Sequence, residues 1–318
     1  MITDKILESA EYVVDHADLV HIDMDKLREF SASFEDKPHD SWLANSLFDI
    51  DGLGEEKKLM LITIFNAISF SYWGEPYWNV EYKGVLHTRG SWSLVASIFR
   101  AREEENDIFD PYYLASLSRD QLAIILRGNT EIPLIEERVK ILNEIGSVLV
   151  SEFDGKMSNL VRRANNDAIE LVELILKSFS SFRDTALYKS QEIYFEKRAQ
   201  ALTEGIYSIF DGKGLGDLKN IESLTACADY IIPNLLRGLG ILTYASSLAE
   251  KIDHKIQLPP KSPEEVEIRA HTIWTVELIR RSLEERGLHA SALHINDYLW
   301  TIGGNASTPF HMTRTTSY

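Results

Sequence analysis

The chain contains 318 residues, of which 44% are hydrophobic, so it can bury a large core and is not intrinsically disordered. It carries 49 acidic and 33 basic residues, a formal net charge of −16, and so lacks the overall positive charge that binding to long nucleic acids requires. A few convergent basic side chains can still bind one small anion, such as the phosphate of a nucleotide.

Cysteine usage and hydropathy narrow the class of protein further. Cys227 is the single cysteine, which rules out an intrachain disulfide and a cysteine-based zinc site. Residues 1–20 form an acidic amphipathic pattern without the basic and apolar regions of a signal peptide. No apolar run reaches the ~18 residues of a membrane span. We therefore expect a cytoplasmic, monomeric protein that does not associate with membranes.

The predicted elements, taken in chain order, are mostly helices. Residues 78–92 alternate polar and apolar side chains around a Lys-Gly pair, which indicates a β-hairpin. Ser118 and Gly128 then frame a short helix as its N-cap and C-cap. Residues 134–153 follow with apolar side chains at three- and four-residue steps, the spacing of an amphipathic helix.

The second half of the chain continues this pattern. Residues 167–182 and 264–286 repeat the helical spacing, and the latter follow Pro-Pro-Lys-Ser-Pro, a signal for a helix start. Residues 192–202 are predicted to begin extended and then to turn helical. Strands and helices do not alternate, so a doubly wound sheet is not expected. We predict a mainly α-helical fold with a small β-hairpin, in one domain over residues 1–318 that can comprise two helical lobes.

Three motifs resemble ligand sites but lack the necessary context. Residues 211–217 are rich in glycine, yet they follow a helix and lack the spacing of a phosphate-binding loop. Residues 48–56 begin like a calcium loop but do not complete its ligand positions. Residues 16–25 contain two histidines and three aspartates without metal-ligand spacing on one helix face. We predict no metal site and no cofactor.

Several polar residues stand inside apolar or aromatic runs, and each has a structural and a functional interpretation. Lys197 and Arg198 form either a solvated helix face or a clamp for a phosphate group. Trp300 is either a core residue or a stacking surface for a base. Four further titratable residues also stand among apolar side chains, and pairing of buried acids with bases inside the protein would explain their positions without a ligand. These are Glu267, Arg269, His271 and Glu277.

A single carboxylate, Asp229, stands in the otherwise apolar residues 224–240. It precedes an apolar segment with Pro233 in its first turn, which indicates a helix that the aspartate caps. The alternative is that Asp229 is the catalytic group. The two interpretations are compatible, because the N-terminus of a helix favours a charged carboxylate.

A series of segments resembles the queuosine salvage proteins in sequence and in order. The most specific are Glu-Lys-Arg-Ala-Gln at 196–200, Ala-Asp-Tyr-x-x-Pro-x-x-Leu at 228–236 and Glu-Val-Glu-Ile-Arg at 265–269, and the resemblance covers nearly the whole chain. It implies hydrolysis of the N-glycosidic bond of queuosine 5′-monophosphate, which releases queuine for salvage into tRNA modification. It also implies a helical fold similar to the helix-hairpin-helix DNA glycosylases.

The resemblance further implies which residues form the site. It makes Asp229 the catalytic acid. It places substrate-binding positions at His39, Cys227, Asn296, Asp297, Trp300 and Thr301. The chain departs from the family pattern at three places: the family commonly has Asp at position 296, Asp-x-x-Asn-Phe where this chain has Asn66 to Phe70, and often an aromatic residue at position 227.

The chemistry of this substrate gives the residue types their expected roles. Cleavage of an N-riboside builds positive charge at C1′, which a carboxylate such as Asp229 stabilises. The 7-deaza base has carbon where purine glycosidases protonate N7, so more of the work falls on the carboxylate. Asn296 and Asp297 suit the amine and diol of queuine, and Lys197 and Arg198 suit the 5′-phosphate.

Two alternatives to this activity stay open at the level of sequence. The chain could be a glycosidase for another purine or deazapurine nucleotide on the same scaffold, or a helical protein that binds a nucleotide without catalysis. In each case the expected partner is a small nucleotide, and the charge of −16 disfavours direct contact with nucleic acid.

Overall fold

Helices dominate the computed structural model, which describes residues 1–34, 48–88, 90–304 and 308–318. Fourteen α-helices lie within these ranges. They are α1 Ile2–His16, α2 Met24–Ser33, α3 Glu55–Ile68, α4 Gly90–Glu103, α5 Pro111–Ala115, α6 Arg119–Ile125, α7 Ile135–Glu152, α8 Met157–Arg163, α9 Ala168–Ser178, α10 Lys197–Ile209, α11 Ile231–Gly238, α12 Ser246–Asp253, α13 Pro263–Glu285 and α14 Ala292–Gly303. Among the helices described, none is both long and apolar enough to cross a lipid bilayer. The prediction of a mainly α-helical fold is confirmed.

Six short strands in the same ranges form three separate antiparallel pairs. β1 Val20–Ile22 pairs with β6 Leu242–Tyr244, β2 Val80–Tyr82 with β3 Val85–His87, and β4 Thr185–Tyr188 with β5 Gln191–Tyr194. The β2–β3 turn contains Lys83 and Gly84 at φ values of 50° and 74°, which confirms the predicted hairpin. β5 leads directly into α10, as predicted for residues 192–202.

The short helix α6 confirms one predicted cap and corrects the other. Ser118 Oγ accepts a hydrogen bond from the Gln121 amide at 3.2 Å, so Ser118 is the N-cap. The prediction of a C-cap at Gly128 is wrong, because α6 already ends at Ile125. Gly128 instead packs against a neighbouring segment, where a Cβ atom would lie 2.3 Å from the Asn79 carbonyl oxygen. A close approach between chain segments therefore requires glycine there.

The titratable residues predicted to pair internally along α13 do so. Glu267 accepts hydrogen bonds from the Leu19 amide at 2.7 Å and from the Tyr188 hydroxyl at 2.8 Å. Arg269 pairs with Asp184, Glu277 with two arginines one turn along the helix, and His271 with the Glu267 carbonyl oxygen. These groups therefore have partners within the protein, which explains their burial without a ligand.

Two apolar cores share the long helix α13. Ala270 and Ile273 contribute to the larger core, which α1, α3, α4, α7, α9 and α10 also form. Val276 and Ile279 contribute to the smaller core, together with residues of α2, α11, α12 and α14. One helix thus carries side chains of both cores.

The segment before α11 runs between the two cores. Residues 224–229 form no helix or strand. Leu224 and Ala228 pack into the larger core, whereas Ala226 packs into the smaller one. Packing on both sides therefore fixes the backbone that leads to Asp229.

Candidate active site

Asp229 lies two residues before the start of α11, with only 7% of its surface exposed. Its Oδ1 atom accepts hydrogen bonds from the amides of Ile231 at 2.7 Å and Ile232 at 3.3 Å. These amides belong to the first turn of the helix, where N–H groups have no partner within the helix. The predicted capping contact is confirmed, and it leaves the carboxylate fixed in one orientation.

Burial opposes the negative charge on this carboxylate, and four contacts favour it. Burial has the largest effect, and it raises the pKa of Asp229 above its usual value. The positive charge of Lys197, the two helix amides and a hydrogen bond from the Trp300 side chain act in the other direction. The site therefore contains a desolvated acid with a cation and three hydrogen-bond donors around it, an arrangement that can stabilise a developing positive charge.

Lys197 and Arg198 occupy adjacent positions at the start of α10 but have different surroundings. The Lys197 side chain is half-buried, and its charge acts on Asp229. The Arg198 guanidinium is buried, donates to the carbonyl oxygens of Ala67 and Ser181, and lies over the ring of Phe182. Two of its N–H groups thus hold main-chain oxygens inside the fold, and phosphate binding by Arg198 stays a prediction.

The Cys227 and Asn296 positions are linked to one another. The Asn296 side-chain oxygen accepts a hydrogen bond from the Cys227 amide at 2.9 Å, and its Nδ2 donates to Asp297 Oδ1 at 3.1 Å. Both residues are buried. Burial raises the pKa of the Cys227 thiol to about 12, so the thiol is protonated at neutral pH. Asn296 thus acts first as a tether for the chain two residues before Asp229.

Of the remaining predicted positions, Asp297, Trp300 and Thr301 lie on α14. Trp300 is half-buried on α14, and its indole N–H, the one polar hydrogen of the side chain, favours the charged form of Asp229. Thr301, next in sequence, is exposed. Asp297 is half-buried on the same helix as Trp300. His39 lies outside the described residues.

Two features of this site were missed by reasoning from sequence. Tyr230 stacks on Phe310 with ring centroids 4.6 Å apart, so the C-terminal segment covers one side of the residue next to Asp229. The Arg269 guanidinium reaches the Ala228 carbonyl oxygen at 3.3 Å. Arg269 ends the Glu-Val-Glu-Ile-Arg motif and Phe310 lies near the C-terminus, but the sequence does not reveal which residues these side chains contact.

A cavity of about 400 Å³ in the protein lies away from the Asp229 carboxylate. Residues 222–225, the C-terminal half of α13 and the start of α14 line it, and Asp229 does not. Among the described residues, no group of three His, Cys, Asp or Glu side chains is placed to hold a metal ion. The chemistry around Asp229, rather than the size of a cavity, therefore identifies the candidate site.

Comparison with known proteins places the chain among relatives of one name. Residues 52–318 match the family model described as queuosine salvage protein. A Sphaerobacter thermophilus protein named queuosine 5′-phosphate N-glycosylase/hydrolase is 40% identical, over 98% of this chain and 97% of its own. Proteins of the same name from Mus musculus and Schizosaccharomyces pombe are 34% and 32% identical, over 98% and 76% of this chain and 98% and 73% of their own. The chain therefore belongs to the queuosine salvage protein family.

Proposed function

We propose that this protein hydrolyses the N-glycosidic bond of queuosine 5′-phosphate and releases the base queuine. The observation that carries the proposal is the buried Asp229 carboxylate, held by the Ile231 and Ile232 amides and by Trp300 beside the charge of Lys197. It occurs in a chain whose relatives, 32–40% identical, are named queuosine 5′-phosphate N-glycosylase/hydrolase.

The reaction replaces the bond between C1′ and the base nitrogen with a bond to a water oxygen. As the C–N bond breaks, its electron pair moves to the base, and C1′ gains oxocarbenium character that the Asp229 carboxylate stabilises. The carboxylate can act through its charge, by attack on C1′, or by taking the proton of the incoming water. The departing base nitrogen accepts a proton, and ribose 5-phosphate is the second product.

Contacts to the rest of the substrate are part of the same proposal. Lys197 is the basic residue we assign to the 5′-phosphate, in place of Arg198, whose guanidinium is bound within the fold. Asp297 suits the amine and diol of queuine better than Asn296, whose oxygen already accepts from the Cys227 amide. Trp300 combines an aromatic face with the N–H donor to Asp229. His39, Cys227 and Thr301 keep their proposed places near the base.

The first test is incubation with queuosine and with queuosine 5′-phosphate, followed by chromatography for free queuine. We expect release from the phosphate by the wild-type protein and none by Asp229→Asn, because the amide carries no negative charge to stabilise C1′. Asp23→Asn is the matched control: Asp23 also caps a helix, through the Asp25 and Lys26 amides at 3.0 Å, but on α2. Turnover by Asp229→Asn at the wild-type rate would overturn the assignment.

The same experiment separates the alternatives. Guanosine and 7-deazaguanosine monophosphates, run in parallel, show whether the Asn296 departure changes the base that is accepted. Tight binding of the nucleotide without any base release would favour a non-catalytic binding protein. We also propose that the fold is similar to that of the helix-hairpin-helix DNA glycosylases. An experimental structure of the protein with substrate would test this similarity.

A further inference from the structure

Arg269 lies two turns into α13 and makes three hydrogen bonds beside the candidate site. Its Nη1 and Nη2 atoms donate to the two carboxylate oxygens of Asp184 at 3.0 and 2.5 Å. Its Nε atom donates to the carbonyl oxygen of Ala228 at 3.3 Å. The guanidinium is 2% exposed and lies 3.9 Å from the centre of the Phe195 ring. Arg269 therefore holds the backbone immediately before Asp229.

Asp184, the partner of Arg269, holds the backbone before Lys197. Its carbonyl oxygen accepts from the amides of Phe195 at 3.0 Å and Glu196 at 3.3 Å. Its own amide donates to Glu196 Oε2 at 2.8 Å. Glu196 adopts a left-handed conformation with φ of 47°, and α10 begins at the next residue. The start of α10, and with it Lys197, is thus tied to Asp184.

The two chain segments that this arrangement holds lead directly to the charged residues of the site, Asp229 and Lys197. One is held at the Ala228 carbonyl, one residue from Asp229, and the other is the Phe195–Glu196 segment, directly before Lys197. We propose that the Arg269–Asp184 pair is a positioning pair, which fixes the Lys197 ammonium relative to the Asp229 carboxylate. The reaction it serves is the hydrolysis proposed above, so its kinetic part rests on that function.

The burial and the geometry of the Arg269–Asp184 pair favour a positioning role over simple stabilisation of the fold. A buried ion pair is weak evidence for stability, because desolvation of both charges offsets their attraction. A planar guanidinium has donors in a fixed fork, so it can hold a carboxylate on two N–H groups and a carbonyl on the third nitrogen. A lysine at position 269 would keep the charge but could not hold both partners in one geometry. The distinguishing property of arginine here is therefore the direction of its bonds.

A second connection holds the same two segments further from the acid. The Gln200 side-chain oxygen accepts from the Thr225 amide at 2.8 Å, and the Gln200 amide donates to the Thr225 hydroxyl at 3.0 Å. This contact can keep α10 packed against residues 224–229 when the ion pair is altered. Loss of the pair should therefore change the spacing of the charges more than the fold.

The first experiment is kinetic and compares Arg269→Lys with Arg280→Lys. Arg280 also lies on α13 and binds a carboxylate, Glu277, through two nitrogens at 2.8 and 2.9 Å, so it is the matched control. We expect kcat for queuine release to fall roughly 10- to 100-fold in Arg269→Lys, the effect of a small misplacement of a catalytic group. KM should change much less, and Arg280→Lys should keep the wild-type kcat.

The second experiment measures the pKa of Asp229 by carboxyl carbon NMR and does not depend on any substrate. We expect the pKa to rise in Arg269→Lys, because Lys197 moves out of its place near the carboxylate, and to stay unchanged in Arg280→Lys. In a Lys197→Met background the same Arg269→Lys substitution should have little further effect, since the pair acts through Lys197. Asp229→Asn assigns the signal.

The outcomes separate this inference from the proposed function. If the wild-type protein releases no queuine, the function fails, while the NMR comparison still decides the positioning role. A wild-type kcat and an unchanged Asp229 pKa in folded Arg269→Lys would overturn the inference. Asp184→Asn, which keeps the shape of the partner, is the second variant and should raise the pKa in the same direction. Failure of both variants to fold would also overturn it, because the pair would then be needed for the fold.

Discussion

At the scale of the single residue, Asp229 depends on every donor around it. Burial raises its pKa, and the charge of Lys197, the amides of Ile231 and Ile232 and the Trp300 side chain lower it. A carboxylate that stabilises positive charge must itself be charged, so activity should fall as the pH drops through the Asp229 pKa. Removal of any one donor raises that pKa and moves the acid limb of the pH profile to higher pH.

Trp300→Phe tests the most specific of these donors, since phenylalanine keeps an aromatic face and loses the N–H group. A hydrogen bond to a charged group contributes about 1.5–3 kcal/mol, so we expect kcat/KM to fall roughly 10-fold or more. The acid limb of the kcat/KM profile should also move to higher pH. Trp78→Phe is the control, because its Nε1 atom donates to the Leu126 carbonyl oxygen at 3.0 Å, outside the site. An acid limb at the wild-type pH in Trp300→Phe would count against the contact.

Glu196 is a buried acid whose ionisation should be visible in the stability of the protein. Burial is the main cause, with the charge of Asp184, that raises the pKa of its carboxyl group from 4.5 to about 7. A hydrogen bond from the Asp184 amide and the charges of Arg269 and Arg183 act in the opposite direction. The folded protein therefore binds this proton more tightly than the unfolded chain does. Its contribution to stability is fully present below about pH 4.5 and is lost as the pH rises through about 7.

Glu196→Gln should remove this dependence, because the amide oxygen can still accept from Asp184 and never becomes charged. We expect the variant to gain up to about 3 kcal/mol in free energy of unfolding over the wild type at pH 8, and little at pH 4. Urea unfolding at the two pH values measures the difference. Glu11→Gln, on the exposed face of α1, controls for the loss of one charge. Equal gains at both pH values would show that ionisation of Glu196 is not responsible.

At the scale of the element, local sequence predicts helices and caps but not their neighbours. The spacing of apolar residues, the Ser118 cap and the Pro-Pro-Lys-Ser-Pro start signal are local properties, so α6, α7 and α13 could be predicted from a few residues each. Gly128 could not be understood in the same way, because its reason is an Asn79 carbonyl oxygen from another segment. Long-range contacts decide whether a glycine ends a helix or admits a neighbour.

The start of α10 shows the same limit within the site. Lys197 and Arg198 form an adjacent basic pair in the sequence, and successive residues of a helix point about 100° apart. Only the packing of α10 against α3 and residues 180–182 determines that Arg198 enters the fold while Lys197 acts on Asp229. Arg269 and Asp184 are 85 residues apart in the chain, so a local sequence pattern could not predict that they pair. The resemblance singled out Asp229 as the candidate acid, and only the fold shows which groups surround it.

At the scale of the whole molecule, the candidate site lies where the two apolar cores meet. Asp229 follows a segment that packs into both cores, and the helix that carries Arg269 contributes to both as well. A site between two independently moving units would let the charges of Lys197 and Asp229 drift apart. We therefore propose that residues 1–318 form one cooperative domain, in which α13 couples the cores.

If the two cores unfold cooperatively, a substitution that destabilises one core should also lower the hydrogen-exchange protection of the other. Ile279 is fully buried in the smaller core, and Ile279→Ala should lower the free energy of unfolding by about 2–5 kcal/mol. If α13 couples the cores, hydrogen exchange should lose the same amount of protection in α7, which lies in the larger core, as in α14. Leu142→Ala, in the larger core, is the reciprocal variant and should lower the protection of α14 equally. Loss confined to the core that carries the substitution would instead mean two units that unfold separately. The spacing of Lys197 and Asp229 would then have to be maintained by the Arg269–Asp184 pair and its neighbours alone.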